Sequence, residues 1–178
     1  DQAPVGGLAG AKGSLNEGGI HVPFFAAGPD IRQTGISDTL VQVADLFTTI
    51  LDLTGVDTAG ETGSLDLHSN SLVPIFNGTD MAERLIIAEK WGLNARDGRA
   101  LILDDWPQYK LVSLQDVTDP ADVATYQMYL IGEAGVEIAA LTTPPDEEEL
   151  HAAAYQALVA IDLALAPAEA STVTLQID

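Results

Sequence analysis

The residue best placed to do chemistry is Lys12, a single base in a glycine-rich stretch. The stretch reads Lys12-Gly13-Ser14-Leu15-Asn16-Glu17-Gly18-Gly19-Ile20-His21-Val22-Pro23. An ammonium group in a loop that enters a buried strand is suited to binding an anion, because glycine lets the backbone approach a ligand closely. A Walker phosphate loop is excluded, since Ala11 and not glycine precedes the lysine. A solvent-exposed loop lysine without a ligand is the alternative.

Composition excludes several classes of partner and site. The chain has 178 residues, with 27 acidic and 7 basic side chains, a formal net charge of −20 and no cysteine. Nucleic acid is excluded as a partner because phosphate binding requires clustered Lys and Arg, and an anionic membrane surface is disfavoured as well. Without cysteine there are no disulfides, thiolate metal sites or cysteine nucleophiles. No apolar run reaches the roughly 20 residues that a membrane-spanning helix needs.

The acidic excess is greatest in the sequence that follows Lys110, the last base of the chain. Twelve acidic and no basic residues lie between Leu111 and Asp178. A surface kept soluble by self-repulsion, as in salty or extracellular surroundings, accounts for this pattern. A calcium loop of the D-x-[DN]-x-[DN]-G type is absent. We therefore expect these carboxylates to be solvated.

The first half of the chain is predicted to be of the α/β type. Residues 1–19 form a glycine-rich loop, and residues 20–27 are a short apolar run typical of a strand buried on both faces. Apolar residues then recur at helical spacing over residues 40–51, and Gly55 is placed to end that helix. Residues 72–78 have room for only one helical turn.

The second half is predicted to be a small antiparallel sheet followed by a helix. Strand-like runs without intervening helices lie at 85–88, 100–103, 109–114 and 125–131. The helix has Thr143 as its cap, acidic residues in its first turn and an apolar stripe over residues 150–161. Residues 172–177 alternate apolar and polar side chains, which predicts a closing strand.

Four motifs in this order resemble those of the sulfatase family, within the alkaline-phosphatase-like superfamily. They are K-G-x-x-x-E-G-G-x-x-V-P (12–23), S-D with V-A-D-L-F-T-T-I-L-D-L-T-G (37–55), L-V-P-I-F-N-G (72–78), and R-D-G-R with Y-K-L-V (96–112). The last of these looks like a family motif that carries an insertion. The resemblance extends over residues 11–115 and is looser over residues 125–165.

The resemblance implies the C-terminal part of an alkaline-phosphatase-like α/β/α sandwich, with a small antiparallel sheet packed against a C-terminal helix. Residues 1–80 would be the last part of the α/β core, and residues 81–178 would be a C-terminal subdomain. Because the chain starts at Asp1 without a Met, we expect an N-terminal half of the same enzyme to precede it.

The resemblance also implies hydrolysis of sulfate esters, in the periplasm or outside the cell. In the family a formylglycine, made from Cys or Ser in a C/S-x-P-x-R motif, attacks sulfur as its hydrate. Two early Asp and a later Asp-Asn pair hold a divalent cation, usually calcium. This chain contains neither set. We expect both cofactors to come from the N-terminal half, and the chain alone to be inactive.

Two residues are carried over as candidate site residues. Lys12 matches the family's late active-site lysine, which contacts the sulfate and the leaving group, and it is the catalytic and substrate-binding candidate. His21 stands where many relatives have Arg, so a structural role is expected and substrate binding is the alternative. Glu17 matches a motif acid that is expected to brace the loop, by pairing with Lys12 or by capping the turn.

No metal ligand is predicted in this chain. Asp1-Gln2 is not the metal-binding Asp-Asn pair of the family, and Asp104-Asp105 is expected to be a turn. His68 lies in a predicted loop and His151 on an acidic helix, where both are expected to be exposed.

Two alternative functions remain open. The first is a phosphodiesterase or phosphonate hydrolase of the same superfamily, which shares much of the fold. The second is a non-catalytic binding or structural module descended from a sulfatase.

Overall fold

The structure is a computed structural model that describes residues 8–56, 69–91, 97–103, 108–116, 123–132, 136–141 and 149–165. The helices within these residues are α1 (Glu17–Ile20), α2 (Asp45–Thr54), α3 (Val73–Phe76) and α4 (Glu149–Ala164). The strands are β1 (Leu85–Lys90), β2 (Asp97–Leu103), β3 (Tyr109–Gln115), β4 (Thr125–Ile131) and β5 (Glu137–Leu141). The fold is therefore mixed α/β, with one small antiparallel sheet.

The sheet is a meander in which each strand pairs with the next, in the order β1-β2-β3-β4-β5. All four pairings are antiparallel, which confirms the predicted sheet and its first four strands. The fifth strand, β5, was not predicted, because its sequence E-I-A-A-L is short and has two alanines of low strand propensity. Pairing with β4 makes it a strand.

The two faces of the sheet have different covers, and β3 alternates between them. Tyr109 and Leu111 point to the face covered by α4, where they pack with Leu158 and other buried apolar residues. Val112 points to the opposite face and packs with Leu15 from the N-terminal segment. The sheet is thus the middle layer between the terminal helix and the loop that carries Lys12.

The prediction of a buried strand at residues 20–27 is wrong. Ile20 ends α1, and residues 21–27 have no regular secondary structure. Phe25 is 90% exposed. A strand needs neighbours for its backbone hydrogen bonds, and the strands in the described part of the chain pair only with one another.

Helix α2 begins later than predicted and ends where predicted. The Asp45 carboxylate accepts a hydrogen bond from the Gln42 backbone N–H at 2.8 Å, which organises the turn before the helix. Gly55 follows the last turn with φ +71°, and its N–H bonds to the Asp52 carbonyl at 3.1 Å. A left-handed conformation at this point favours glycine. The predicted single helical turn near residues 72–78 is confirmed as α3.

Helix α4 confirms the predicted terminal helix, with Ala154 and Leu158 buried on its inner face. His151 is half-buried and not exposed as expected, since its ring lies 5.4 Å from the Tyr109 ring in an edge-on arrangement. Several predictions lie outside the described residues: the cap at Thr143, the strand at 172–177, the turn at Asp104-Asp105 and His68.

Candidate functional site

Lys12 lies at the tip of a tight turn formed by residues Ala11 to Ser14. The Ser14 N–H bonds to the Ala11 carbonyl at 2.9 Å, and the Ser14 hydroxyl accepts from the Ala11 N–H at 3.2 Å. Gly13 has φ +84°, a conformation that other residues adopt only with strain. The Lys12 side chain is exposed. We call residues 11–14 the Lys12 turn.

The glycine pair of the motif lets the backbone of this loop fold closely on itself. The Gly18 N–H donates to the Ala9 carbonyl at 2.7 Å. A Cβ at Gly18 would lie 2.5 Å from the Gly10 carbonyl oxygen, and one at Gly19 would collide with the Ser14 carbonyl oxygen. The two glycines therefore serve packing inside the loop, and no ligand is needed to explain them.

Glu17 braces the loop as predicted, but its partner is neither Lys12 nor the turn. Its carboxylate is buried and accepts a hydrogen bond from Lys110 Nζ at 2.8 Å. Lys110 also pairs with Glu137 on β5, and its own side chain is fully buried on the central strand. We call Glu17, Lys110 and Glu137 the Lys110 cluster. It fastens the motif loop to the sheet.

His21 lies beside this cluster. Its Nδ1 is 3.4 Å from Glu17 Oε2, one helical turn away, and its side chain is 44% exposed. Tyr129 from β4 covers the other side, with its ring centroid 5.4 Å from Lys110 Nζ. The structure thus places His21 against Glu17, whereas Lys12 lies on the exposed turn.

A second buried ion pair joins helix α2 to the first strand. Arg84 Nη2 lies 2.7 Å from the Asp45 carboxylate, whose side chain is fully buried. The other carboxylate oxygen accepts from the Asn70 N–H at 3.1 Å. This pair connects the segment around α2 to the start of β1.

A shallow cleft of about 90 Å³ opens on the α4 side of the sheet, beside Arg99 and Asp162. Arg99 Nη1 lies 2.9 Å from the Asp162 carboxylate and donates to the Asp162 carbonyl, while Nη2 donates to the Leu165 carbonyl at 3.2 Å. Arg99 thereby satisfies the last carbonyls of α4 and complements the negative end of its dipole. Burial, followed by the charge of Asp162, raises the pKa of the Tyr126 hydroxyl above 10.0.

Sequence reasoning missed the partners Glu137 and Asp162, which were expected to be solvated carboxylates. Both are buried, with side chains 4% and 8% exposed. Each is matched by a base from a distant part of the chain. One signal was available: Lys110 lies inside the apolar run Tyr109 to Val112, and a charged residue inside a central strand requires a buried partner.

Within the described ranges, no group of three or more His, Asp or Glu side chains is arranged to hold a metal ion. None of the helices in that part of the chain is long and apolar enough to cross a membrane.

The fold is mixed α/β. It presents Lys12 on a turn that contains Gly13, and side chains of the sheet hold the loop around this turn. Residues 3–56, which include this turn and α2, match the family model for sulfatases. The chain is also similar to arylsulfatase K of Rattus norvegicus, with 30% identity over 115 residues. Both findings are similarities to sulfatases. No solved structure gives a significant match.

The similarity to arylsulfatase K covers 60% of this chain and 19% of that protein. The chain thus spans about a fifth of the length of the curated relative that it matches.

Proposed function

We propose that this chain is the C-terminal portion of a sulfatase-like hydrolase that cleaves sulfate esters. The observation that carries the proposal is the Lys12 turn. It lies in the segment that matches the family model, and the surrounding loop is built to hold it, through Gly13, the glycine pair and the buried Glu17.

Lys12 supplies a cation for the sulfuryl group in this proposal. A sulfate ester carries negative charge on its non-bridging oxygens, and more charge develops on the bridging oxygen as its bond to sulfur breaks. A fixed ammonium group near these oxygens stabilises the transition state more than the ground state. Because the Lys12 side chain is exposed, it is free to reach an ester bound outside this chain. His21 is proposed as a second, weaker contact to the substrate.

The cofactors of the reaction are proposed to belong to the remainder of the enzyme. In the family a formylglycine supplies the nucleophile, and calcium supplies charge stabilisation at the sulfate. The residues of this chain do not fit a formylglycine, since the sequence has no cysteine and no Ser-x-Pro-x-Arg. The described residues also hold no cluster of metal ligands. We therefore assign to this chain only the binding and orienting of the ester through Lys12.

An exposed apolar surface around α2 supports the proposal that this chain is one part of a larger enzyme. Ten of the fifteen large apolar side chains exposed in the described residues lie between Val22 and Val56. Phe25 and Ile36 are 90% and 97% exposed. Large exposed apolar surfaces of this kind mark interfaces. We propose that the N-terminal half of the same enzyme covers them, so that residues 1–80 complete an α/β/α core and residues 81–178 form the C-terminal subdomain.

The proposed surroundings are the periplasm or the extracellular space. The support is compositional: the chain is strongly acidic and has no cysteine, which suits a salty environment. The proposed partners are a sulfate-ester substrate and the N-terminal half.

The test is Lys12→Ala in the protein at its natural length, assayed with an aryl sulfate. We expect kcat/KM to fall about 10²–10³-fold, the usual effect of removing one group that stabilises transition-state charge. Lys90→Ala is the matched control, since Lys90 is also an exposed lysine but lies on β1. It should retain wild-type turnover.

The same assay separates the alternatives. Faster cleavage of an aryl phosphate diester than of the sulfate would favour the phosphodiesterase or phosphonate hydrolase. No activity on either ester would favour the non-catalytic module. Undiminished turnover of Lys12→Ala would remove Lys12 from the site.

A further inference from the structure

The Lys110 cluster connects the last strands of the sheet to the loop that presents Lys12. Lys110 and Glu17 are 93 residues apart in sequence, and their side chains meet at 2.8 Å. Glu137 makes two further bonds to the loop, accepting from the Asn16 side-chain amide at 3.0 Å and from the Glu17 backbone N–H at 3.2 Å. Two consecutive loop residues are thus held by one carboxylate of β5.

A register shift between β4 and β5 directs Glu137 towards this contact. Leu130 pairs with Ala139, whereas Ile131 pairs with Glu137, so the pairing skips one residue at this point. Side chains alternate between faces along a strand. Because Glu137 pairs with Ile131, the two side chains lie on the same face. Tyr129 is two residues before Ile131 and shares this face, and its partner on β3 is Lys110. Shifts of this kind commonly redirect a side chain beside a functional site.

The chemistry of the cluster favours orientation over simple stability. Burying an ammonium and two carboxylates costs desolvation energy, and apolar residues of similar size often stabilise such a position equally well. An apolar contact would hold the loop against the sheet without selecting one geometry. Hydrogen bonds to both carboxylate oxygens of Glu137 restrict the loop in direction as well as in distance.

The path from the cluster to Lys12 is short. Glu17 is followed directly by Gly18, whose N–H bonds to the Ala9 carbonyl at 2.7 Å. Leu15, which follows the turn, is buried against Val112. Val112 lies two residues after Lys110 on β3 and therefore on the same face of the sheet. The C-terminal side of the Lys12 turn is therefore anchored on the face of the sheet that carries the cluster, and its N-terminal side is bonded to the residue that follows Glu17.

We propose that Lys110 and Glu137 are positioning residues that hold Lys12 in its geometry for the sulfate ester. This inference rests on the proposed function, in which Lys12 contacts the ester. The C-terminal sheet then contributes to catalysis without touching the substrate, by holding the loop that does.

The first test measures the loop itself and needs no activity. Glu137→Gln is made in the natural-length protein, and amide hydrogen exchange is followed in peptides that cover residues 9–20. Asp162→Asn is the matched control, because Asp162 is also a buried, base-paired carboxylate but lies on the opposite face of the sheet. We expect about 10-fold faster exchange in the loop for Glu137→Gln and an unchanged loop for Asp162→Asn. Equal exchange in both variants would overturn the proposal.

The second test is a double-mutant cycle with Lys12→Ala. Glu137→Gln alone should lower kcat/KM for an aryl sulfate about 10- to 100-fold, the effect of a small misplacement of a catalytic group. In the Lys12→Ala background the same substitution should have almost no further effect, because both changes act through one residue. An equal loss in both backgrounds would show general damage and overturn the proposal.

Two further outcomes keep the inference separate from the proposed function. If Lys12→Ala leaves turnover unchanged, the proposed role of Lys12 fails, and the exchange measurement alone decides whether Glu137 holds the turn. If Glu137→Gln does not fold, Asn16→Ala replaces it, since this change removes one loop contact to Glu137 without leaving a charge unpaired. Faster loop exchange in Asn16→Ala supports the anchoring, and wild-type exchange contradicts it.

Discussion

At the scale of single residues, the bases in the described part of this acidic chain divide into two kinds. Arg84, Arg99 and Lys110 are paired with carboxylates inside the fold, whereas Lys12 and Lys90 are exposed. A buried cation is retained only where its partners offset the loss of solvation. Lys12 is under no such constraint, so its position in the loop is consistent with a role towards a ligand.

Tyr126 gives a prediction at the residue scale. Its pKa is raised above 10.0, mainly by burial and then by the charge of Asp162. Because the folded-state pKa exceeds the unfolded value, the stability that this group contributes is complete below the ordinary tyrosine pKa. It is lost as the pH rises from there through the folded-state pKa.

We therefore expect Tyr126→Phe to lose less stability than the wild type in strongly alkaline solution. The measurement is the free energy of unfolding in urea as a function of pH, with the difference at neutral pH as the reference. Parallel curves for the two proteins above the ordinary tyrosine pKa would contradict the prediction.

At the scale of elements, the motif loop is held by its own backbone and by the sheet. The glycines allow the close approach inside the loop, and the Lys110 cluster supplies the contact to β3 and β5. Helix α4 covers the other face and is held at its end by Arg99. The division of the chain at residue 80 remains a prediction.

Gly18→Ala tests the packing of the loop. The added Cβ would lie 2.5 Å from the Gly10 carbonyl oxygen and 2.7 Å from that of Ala9, so the backbone must move. We expect a loss of about 1–3 kcal/mol in the free energy of unfolding, measured by urea denaturation followed by circular dichroism. Gly28→Ala is the control, because nothing lies within 4 Å of a Cβ there. A loss of similar size in both variants would refute the explanation.

At the scale of the whole molecule, the charge remains strongly negative when the buried ion pairs are set aside. The formal net charge is −20. The buried ion pairs of the described residues use three bases and four carboxylates, those of Glu17, Asp45, Glu137 and Asp162. The remaining exposed carboxylates repel one another and destabilise the compact state.

Salt is therefore expected to stabilise this protein. Added sodium chloride screens exposed charges over a Debye length and acts much less on buried pairs. The melting temperature should rise, by about 2–4 °C for each kcal/mol of repulsion that is removed. An uncharged solute at the same osmolality serves as the control in a thermal melt. A melting temperature that falls or stays constant as salt is added would argue against surface repulsion.

Local sequence was sufficient to predict most of the strands and the two longer helices of this molecule. Short apolar runs without intervening helices predicted β1 to β4, and helical spacing predicted α2 and α4. The pattern around Lys12, in order with three other motifs, indicated a resemblance to the sulfatase family. These features depend on residues a few positions apart, whose spacing reflects strand and helix geometry directly. The strand expected at residues 20–27 failed because a strand also depends on neighbours that its own residues do not specify.

The tertiary structure decided which charges are buried and what they bind. Nothing near Lys110 in sequence indicates Glu17, which is 93 residues away, or Glu137, which is 27 residues away. The contact to Glu137 also requires the unpredicted β5 and its register shift. Burial of a charge depends on the sum of partners delivered by distant segments, so sequence alone could locate Lys12 while only the fold shows what holds it.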